Sequence, residues 1–292
     1  MRPTPRPFLP RSLAFLAAAA LLMVAGGCVG RPEAPILELS SGSAAKAMAA
    51  RLDALLPTDV LLVGEQHDAA EHQRIEQQVI ANLAARGLLA AVALEMADIG
   101  VSTAKLKPSS TEEQTRRALK WDDKSWPWAA YGPVVMTAVR AGIPVLGANL
   151  PRAQMPDSMN DRQLDLRLPG PALKAQQQAI RIGHCKLLPE SQITPLARVQ
   201  VAKDITMADA IHQSALPGKT VVLLAGNGHV DRKLGVPQHL RADLKARSIR
   251  LRAGEATGTD EADAFDSVWT TPALPDTDYC AELKEQLSKP AQ

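Results

Sequence analysis

Two short motifs of the same form carry the residue types best suited to chemistry. Gly64-Glu65-Gln66-His67 and Gly226-Asn227-Gly228-His229 each follow a run of four or five apolar residues. Runs of this length that are rich in Val and Leu and end in Gly are typical of strands buried on both faces of a parallel sheet. Residues just past the carboxyl ends of such strands line the ligand crevice. We therefore expect His67 and His229 to meet at one edge of one sheet.

Two further apolar runs extend this pattern, because polar residues follow each of them. The set predicted to share the edge is Glu65, His67, Glu95, Asn149, Arg152 and His229. Each residue alone could cap the helix after its strand, but capping does not need His and Glu repeated at successive strand ends. Buried carboxylates need a partner or a proton. We therefore expect this polar set to pair internally, to hold a metal ion or to bind an ionised ligand.

The elements that must position these residues follow from the apolar periodicity. A strand, a helix and a second strand between residues 60 and 94 predict a right-handed βαβ unit. Helical patterns follow at about 97–142 and 171–216. The sequence thus predicts an α/β fold, with a mainly parallel sheet flanked by helices and a smaller helical subdomain. This domain is expected to span residues 44–282, followed by a tail at 283–292.

The N-terminal segment, residues 1–27, has the pattern of a bacterial lipoprotein signal. Three arginines precede an apolar stretch of about 13 residues, and small residues precede Cys28. We expect cleavage there, lipidation of Cys28 and a tether over residues 28–43. The chain would then be lipid-anchored in the bacterial cell envelope, at the outer membrane and facing the periplasm. An uncleaved membrane anchor is the alternative, although spanning a bilayer needs roughly 20 apolar residues.

The charge balance indicates which partners to exclude, and the cysteines indicate a disulfide. The chain has 33 basic and 31 acidic side chains, and removal of the three N-terminal arginines leaves 30 against 31. A near-neutral chain gives no electrostatic case for nucleic acid. Cys185 and Cys280 are the thiols that remain after export, so a disulfide between them is expected in an oxidising compartment. A metal site at His184-Cys185 and two buried free thiols are the alternatives.

Seven short segments lie in a fixed order across most of residues 55–282. They are 63–68, 94–96, 149–152, 184–185, 225–230, 235–237 and 278–280. As a set they resemble the ChaN-like family of haem-binding lipoproteins, with one departure: Lys203 stands where an Arg is expected. A Lys cannot reproduce a bidentate Arg contact. The resemblance implies an α/β domain with a small helical subdomain, and haem uptake or storage at the outer membrane.

The first function that the resemblance implies is non-covalent haem binding in haem or iron acquisition or storage. A haem site needs an apolar slot and an axial ligand. Trp128 lies in the aromatic-rich stretch that would form the slot, and Tyr131 is predicted as a phenolate ligand. A core aromatic is the alternative reading of Tyr131. The expected partners are haem, a second copy of the chain that shares the site, and an outer-membrane haem uptake system.

The resemblance also links the chain to a wider superfamily that includes TIKI-type metalloproteases and erythromycin esterase-like enzymes. This link implies a second function. Glu65, His67, Glu95 and His229 would hold a divalent metal ion and a water molecule in a metal-dependent protease or esterase. Without a metal, Glu65 or a His would act as general base. His72 lies five residues after His67 on a predicted helix and is expected to be a solvated surface residue.

Overall fold

The computed structural model describes residues 42–255 and 263–288. Within these residues, six strands form one sheet in which every neighbouring pair runs parallel. The strands are β1 (Val60–Glu65), β2 (Leu89–Asp98), β3 (Val145–Asn149), β4 (Thr220–Gly226), β5 (Ala246–Ala253) and β6 (Ser267–Thr271). Their order in the sheet is β3-β2-β4-β1-β5-β6. The predicted α/β fold with a parallel sheet is confirmed.

Eight α-helices connect or flank these strands in the described part of the chain. They are α1 (Gly42–Asp53), α2 (Ala70–Ala85), α3 (Glu112–Ala118), α4 (Trp128–Arg140), α5 (Met155–Asn160), α6 (Gly170–Gly183), α7 (Glu190–Ser214) and α8 (Tyr279–Ser288). The sequence pattern predicts neither β6 nor α8, and α8 runs past the predicted end of the domain at residue 282. None of the described helices is long and apolar enough to cross a membrane.

The sheet is covered on both faces, which explains why its central strands are apolar throughout. In β1, Leu61 and Val63 pack into the core that includes α1, α2 and α4. Val60 and Leu62 pack into the opposite core, which includes residues of α7. Alternate side chains of a strand point to opposite faces. A strand with a helix layer on each side therefore has no polar face.

The position of β4 in the sheet determines which strand ends lie next to one another. It lies between β2 and β1, with Glu65 opposite Gly226 and Leu94 opposite Leu224. Because all three strands run in the same direction, their carboxyl ends meet at one edge, here called the carboxyl edge. The first Gly-x-x-His motif, Glu95 and the second Gly-x-x-His motif are thus neighbours, although more than 150 positions separate the two motifs.

The predicted disulfide is confirmed. Cys185, just after α6, and Cys280, in α8, are bonded with their Cα atoms 5.6 Å apart and 95 positions apart in sequence. This pairing excludes the His184-Cys185 metal site and the two free thiols. The predicted signal segment, Cys28 and the tether up to residue 41 lie outside the described residues, as do residues 289–292 of the tail.

Candidate functional site at the carboxyl edge

Glu95 is the centre of the polar cluster at the carboxyl edge. Its Oε2 accepts a 2.8 Å hydrogen bond from the backbone N–H of Gly226. His229 Nε2 lies 3.3 Å from Glu95 Oε1, and His67 Nε2 lies 3.7 Å from Oε2. Lys203 Nζ lies 3.7 Å from Oε1. Burial would raise the pKa of Glu95, but His229 and the other nearby cations outweigh it and hold that pKa far below its ordinary value.

His229 is held between two carboxylates. Its Nδ1 lies 2.5 Å from Asp204 Oδ1, on the side of the ring opposite Glu95. Burial lowers the pKa of His229, but Glu95 and Asp204 together raise it to about 10. Burial also raises the pKa of Asp204 to about 6, against the attraction of His229. At neutral pH the buried group is therefore an imidazolium between two carboxylates. The side-chain amide of Gln200 lies beside the ring, 3.1 Å from Nδ1, but it cannot donate to a ring whose two nitrogens both carry protons.

A second cluster surrounds Glu65, whose side chain is fully buried. Tyr131 donates a 2.8 Å hydrogen bond to Glu65 Oε1, and Gln73 donates to Oε2. His67 Nδ1 lies 2.8 Å from the same Oε1. Burial lowers the pKa of His67, but Glu65 and Glu95 outweigh this and raise it. The ring of His67 is 39% exposed, so it joins this buried network to solvent.

The predicted edge residues therefore lie close together, and most of their polar atoms are already paired. Glu65, His67, Glu95 and His229 form one connected network of acids and imidazoles. Within the described residues, no group of three or more His, Cys, Asp or Glu has an arrangement that could hold a metal ion. The expectation of a divalent metal site is therefore not supported, because these side chains pair with one another.

Asn149 and Arg152 do not join that network but line an adjacent cavity of about 630 Å³, here called the edge cavity. Trp126 and Lys203 connect the two regions. Trp126 lines the cavity and packs edge-on against His67, with 4.9 Å between ring centroids. Lys203 lines the cavity and contacts Glu95. The edge cavity thus opens beside the polar cluster.

The walls of the edge cavity combine apolar and polar groups. The lining residues include Met96, Leu119, Trp126, Asn149, Arg152 and Lys203. Asn149 Oδ1 is buried and has no hydrogen-bond partner in the described part of the chain. Arg152 is exposed. An apolar body with anionic groups at its edge would match these walls.

The two aromatic residues predicted to contact haem lie elsewhere. Trp128 is buried in the core, and its Nε1 donates a 3.0 Å hydrogen bond to Glu112. The tryptophan that lines the edge cavity is Trp126 and not Trp128. Tyr131 is 1% exposed. Burial, followed by the charge of Glu65, raises the pKa of Tyr131 far above its ordinary value. The phenol therefore stays protonated, and this geometry disfavours the predicted phenolate ligand.

The structure also corrects the expectation that His72 is a solvated surface residue. It is fully buried rather than solvated. Its Nδ1 accepts a 2.9 Å hydrogen bond from the backbone N–H of Gln66. The other nitrogen, Nε2, must then carry the proton, and it lies 3.2 Å from Thr271 Oγ1. Burial lowers the pKa of His72, which suits a neutral imidazole that fixes the loop before His67.

The sequence reading missed several site residues that come from helix interiors. Asp204 and Gln200 lie on α7, one turn apart, and Gln73 lies on α2. The i,i+4 spacing of Gln200 and Asp204 places both on one helix face. That spacing is the only signal available in the sequence, and it is also common on solvated helices. Lys203 departs from the Arg expected at this position, and the sequence gives no sign of its contact with Glu95.

Comparison with protein families and comparison with solved structures point to the same family. The family model described as "Haem-binding uptake, Tiki superfamily, ChaN" matches residues 51–240. No curated protein matches the chain. Among solved structures, the chain is similar to "Cofacial heme binding to ChaN of Campylobacter jejuni". The two are 28% identical with a TM-score of 0.62, over 75% of this chain and 90% of that chain.

Two further solved structures share less with the chain. One is the type III effector HopBA1, with 16% identity and a TM-score of 0.46, over 78% of this chain and 94% of that one. The other is an erythromycin esterase mutant, EreC, in its open conformation. It has 15% identity and a TM-score of 0.43, over 70% of this chain and 72% of that one.

Proposed function

Because the chain belongs to the ChaN family of haem-binding uptake proteins in the Tiki superfamily, we propose that it binds haem non-covalently in the edge cavity. The observation that carries this proposal is the composition of that cavity. A volume of about 630 Å³ lies within the range of roughly 300–1,000 Å³ typical of small-molecule sites. Its walls offer both apolar surface and cations, as an apolar macrocycle with two propionates requires.

The apolar walls are suited to the macrocycle. Trp126, Leu119 and Met96 line the same cavity. Trp126 keeps its orientation because it packs edge-on against both His67 and Tyr131. A large ring that is already fixed loses little conformational entropy when a flat ligand packs against it. We therefore assign Trp126 rather than Trp128 to the haem slot.

The cationic walls are suited to the propionates. Arg152 and Lys203 line the cavity, and the Lys203 side chain is 19% exposed. Its neighbour Glu95 already has His229 and the N–H of Gly226 as partners. The Lys203 ammonium is therefore available to a second anion. Asn149 adds an amide beside them.

A titration with hemin tests this assignment. Hemin is added to the chain from residue 29 onwards, and the Soret band is followed to saturation. We expect a saturable shift, and Arg152→Ala should weaken binding about three- to tenfold, the loss of one charge-assisted contact. Arg140→Ala is the matched control, because Arg140 is exposed and lies at the end of α4. A featureless titration, or equal weakening in both variants, would refute the assignment.

We also propose that two chains share the haem site. The C. jejuni protein is described as binding haem cofacially, and the edge cavity opens to the surface beside the half-exposed ring of His67. Light scattering with and without hemin measures the mass directly. Dimerisation that follows haem loading supports the proposal. A chain that remains a monomer when fully loaded contradicts it without affecting haem binding itself.

For the cellular role, we propose an exported protein that is lipid-anchored through Cys28 at the outer membrane, facing the periplasm. It would serve haem or iron acquisition or storage together with an outer-membrane uptake system. The Cys185–Cys280 disulfide suits an oxidising compartment. Cys28→Ser should release the protein from the membrane fraction, while Cys280→Ser should leave it there. Retention of the Cys28 variant in the membrane fraction would argue against the lipid anchor.

A second candidate is hydrolysis without a metal, and one observation favours it. His67 is half-exposed while Glu65 holds its Nδ1, an arrangement that orients an imidazole as general base. Because the pKa of His67 is raised, such activity would increase with pH as the ring loses its proton. Assays with ester and peptide substrates across pH 6–9 test this. No turnover, or turnover that survives His67→Ala, would exclude the candidate.

A further inference from the structure

The Cys185–Cys280 disulfide joins two helices that have few buried residues. Cys185 follows α6, in which Gln176 is the one buried residue, and Cys280 lies in α8, whose described residues include none. Most helical stability in proteins comes from the packing of a buried face. These two helices therefore depend on their links to neighbouring elements, and cutting the disulfide would free α8 without disturbing the core of the sheet.

The disulfide also connects the two helix layers across the carboxyl edge. On one face of the sheet, α6 packs against α7. On the other face, α2 begins just after Asp68 and Ala69. Tyr279, the residue before Cys280, donates a hydrogen bond from its hydroxyl to the Asp68 carboxylate. Cys185, Cys280, Tyr279 and Asp68 thus link the end of α6 to the loop before α2, and they are here called the latch.

The latch ends at the loop that carries His67. Asp68 directly follows His67, whose side chain is 39% exposed. The segment that leads to the latch, residues 272–278, has no helix or strand. Just before it, Thr271 Oγ1 lies 3.2 Å from Nε2 of His72, whose Nδ1 accepts a hydrogen bond from the backbone before His67. The segment is therefore fastened beside His67 at both of its ends.

The disulfide lies in an open groove of about 460 Å³ at the surface. Cys280 is exposed and Cys185 is half-buried. Ile182 and Leu187 line the same groove, and both are exposed. A thiol can therefore reach the sulfur atoms while the chain remains folded, which a disulfide inside the core would not allow.

The groups around the disulfide favour one route of thiol–disulfide exchange. Cys280 lies in the first turn of α8, and Lys284, one turn later, lines the groove. A helix N-terminus and a nearby cation both stabilise a thiolate, and a stabilised thiolate is the better leaving group. Asp278 also lines the groove, where its Oδ1 accepts a 2.9 Å hydrogen bond from the backbone N–H of Ala281. Attack at Cys185, with Cys280 as the leaving group, is therefore favoured.

The backbone on the other side of the bond is strained. The φ angles of Cys185 and Lys186 are 56° and 58°, in the left-handed region that residues other than glycine rarely adopt. Such a conformation persists only where the surrounding structure holds it. Disulfides that are exposed or strained are more readily reduced than those of a rigid core.

We propose that the Cys185–Cys280 disulfide is a reducible latch, which an external dithiol opens to free α8 and to expose the loop that carries His67. A thiolate of the dithiol attacks Cys185 Sγ, the S–S bond breaks, and Cys280 leaves as a thiolate with the electron pair. The second thiol then displaces Cys185 and closes the disulfide of the reagent. Two electrons and two protons pass from the dithiol to the cysteines. The proposal does not depend on which ligand the carboxyl edge binds.

Reduction of the folded chain tests the first half of the proposal. The oxidised protein is incubated with dithiothreitol, the freed thiols are alkylated and counted by mass spectrometry, and hydrogen exchange of β4 reports any global unfolding. We expect complete reduction while β4 keeps its protection. Reduction that occurs only at guanidinium concentrations that also expose β4 would overturn the proposal, because the bond would then open only on unfolding.

Reactivity of His67 tests the second half. Diethyl pyrocarbonate modifies accessible imidazoles, and peptide mapping identifies each modified histidine. Because the side chain of His67 is now 39% exposed, its release should raise the rate of modification about two- to threefold in the reduced, alkylated protein. His212, near the end of α7, is the internal control and should react at one rate in both forms. Equal reactivity of His67 before and after reduction would overturn the proposal.

Two variants identify the route of this effect. Cys185→Ser/Cys280→Ser should show the faster modification of His67 with or without dithiothreitol. Tyr279→Phe keeps the disulfide but removes the hydrogen bond to Asp68, so reduction should change the reactivity of His67 less than it does in the unchanged chain. A double cysteine variant that still responds to dithiothreitol, or a Tyr279 variant with an undiminished response, would contradict the latch.

Discussion

The hydroxyl of Tyr131 donates a 2.8 Å hydrogen bond to Glu65 Oε1, although the two residues are 66 positions apart in sequence. The bond joins α4 to the end of β1 and lies beneath the ring of His67, whose Nδ1 is 3.4 Å from the same hydroxyl. A buried carboxylate needs such donors, because an unpaired one would take up a proton. Tyr131 is thus a structural partner of the polar cluster.

The first prediction concerns this hydrogen bond. Tyr131→Phe should lower the free energy of unfolding by about 1–3 kcal/mol, the usual cost of removing a partner from a buried charged group. It should leave the Soret position of the haem complex unchanged. Tyr279→Phe, whose hydroxyl is exposed and donates to Asp68, is the control and should cost far less. A displaced Soret band in the Tyr131 variant would restore the phenolate ligand.

The second prediction concerns pH and His229. Its pKa is raised to about 10 in the folded chain from about 6.5 in the unfolded one. The folded state therefore retains a proton that the unfolded state loses as the pH rises from 6.5 to 10. The contribution of His229 to the free energy of unfolding is fully present below pH 6.5, and it falls across this window by up to about 1.4 kcal/mol per pH unit.

Chemical denaturation at pH 7, 8 and 9 measures that slope, and a His229→Gln/Asp204→Asn variant should reduce it, because Asp204 alone would keep a proton in the core once His229 is gone. The control is His239→Gln, because burial lowers the pKa of His239 to about 4 and both of its states are neutral above pH 7. If the His229 variant loses stability with pH as steeply as the unchanged chain does, the buried imidazolium is not the cause.

The third prediction concerns Glu76. It is fully buried on α2, and neither carboxyl oxygen has a partner in the described part of the chain. Burial and the charge of Glu65 raise its pKa well above the ordinary value. The folded chain keeps this proton while the unfolded chain loses it above about pH 4.5, so ionisation of Glu76 lowers stability as the pH rises.

Glu76→Gln should therefore be nearly neutral at pH 4.5 and increasingly stabilising towards pH 7.5, by up to about 1.4 kcal/mol per pH unit until the folded pKa is reached. Denaturation curves of both proteins at four pH values give the difference. Glu71→Gln, at an exposed position on the same helix, should show no such trend. A constant difference across the range would mean that Glu76 is already ionised in the folded chain.

The fourth prediction concerns the Cys185–Cys280 disulfide. A loop of 95 residues would stabilise by about 4.7 kcal/mol in the chain-entropy model. However, α8 has no buried residue, so once the bond is cut the segment after β6 is largely free. The released segment then gains conformational entropy in the folded state as well as in the unfolded state. The net loss in the free energy of unfolding should therefore be about 2 kcal/mol. Guanidinium unfolding of a Cys185→Ala/Cys280→Ala variant measures it. A loss near 5 kcal/mol would show that α8 is held by its own contacts.

The meeting of His67, Glu95 and His229 could be predicted because it follows from strand ends. Apolar runs that end in Gly identify parallel strands, and the shared direction of those strands brings the residues after them to one edge. No knowledge of the loops is needed. The fold class and the edge cluster follow from the same pattern.

Residues on helices could not be placed in this way. His72 and Glu76 lie on the buried face of α2, where an apolar pattern alone would assign them to solvent. Trp126 and Trp128 are two positions apart, but only the first lines the cavity, because Trp128 starts α4 and its side chain packs into the core. Which way such a side chain points depends on where the helix begins, and helix ends are the least certain feature of a sequence pattern.

The place of β4 between β2 and β1 has a consequence for biosynthesis. The two flanking strands are complete by residue 98, yet the strand that joins them begins at Thr220. Until the ribosome has produced and released that segment, β1 and β2 each carry an open strand edge, which is a template for pairing with other chains. Half of the polar cluster is also missing, because Gly226 and His229 arrive with β4. The central sheet therefore stays incomplete for most of the chain's synthesis, whereas the residues that line the edge cavity, the last of which is Lys203, all precede β4 in the sequence.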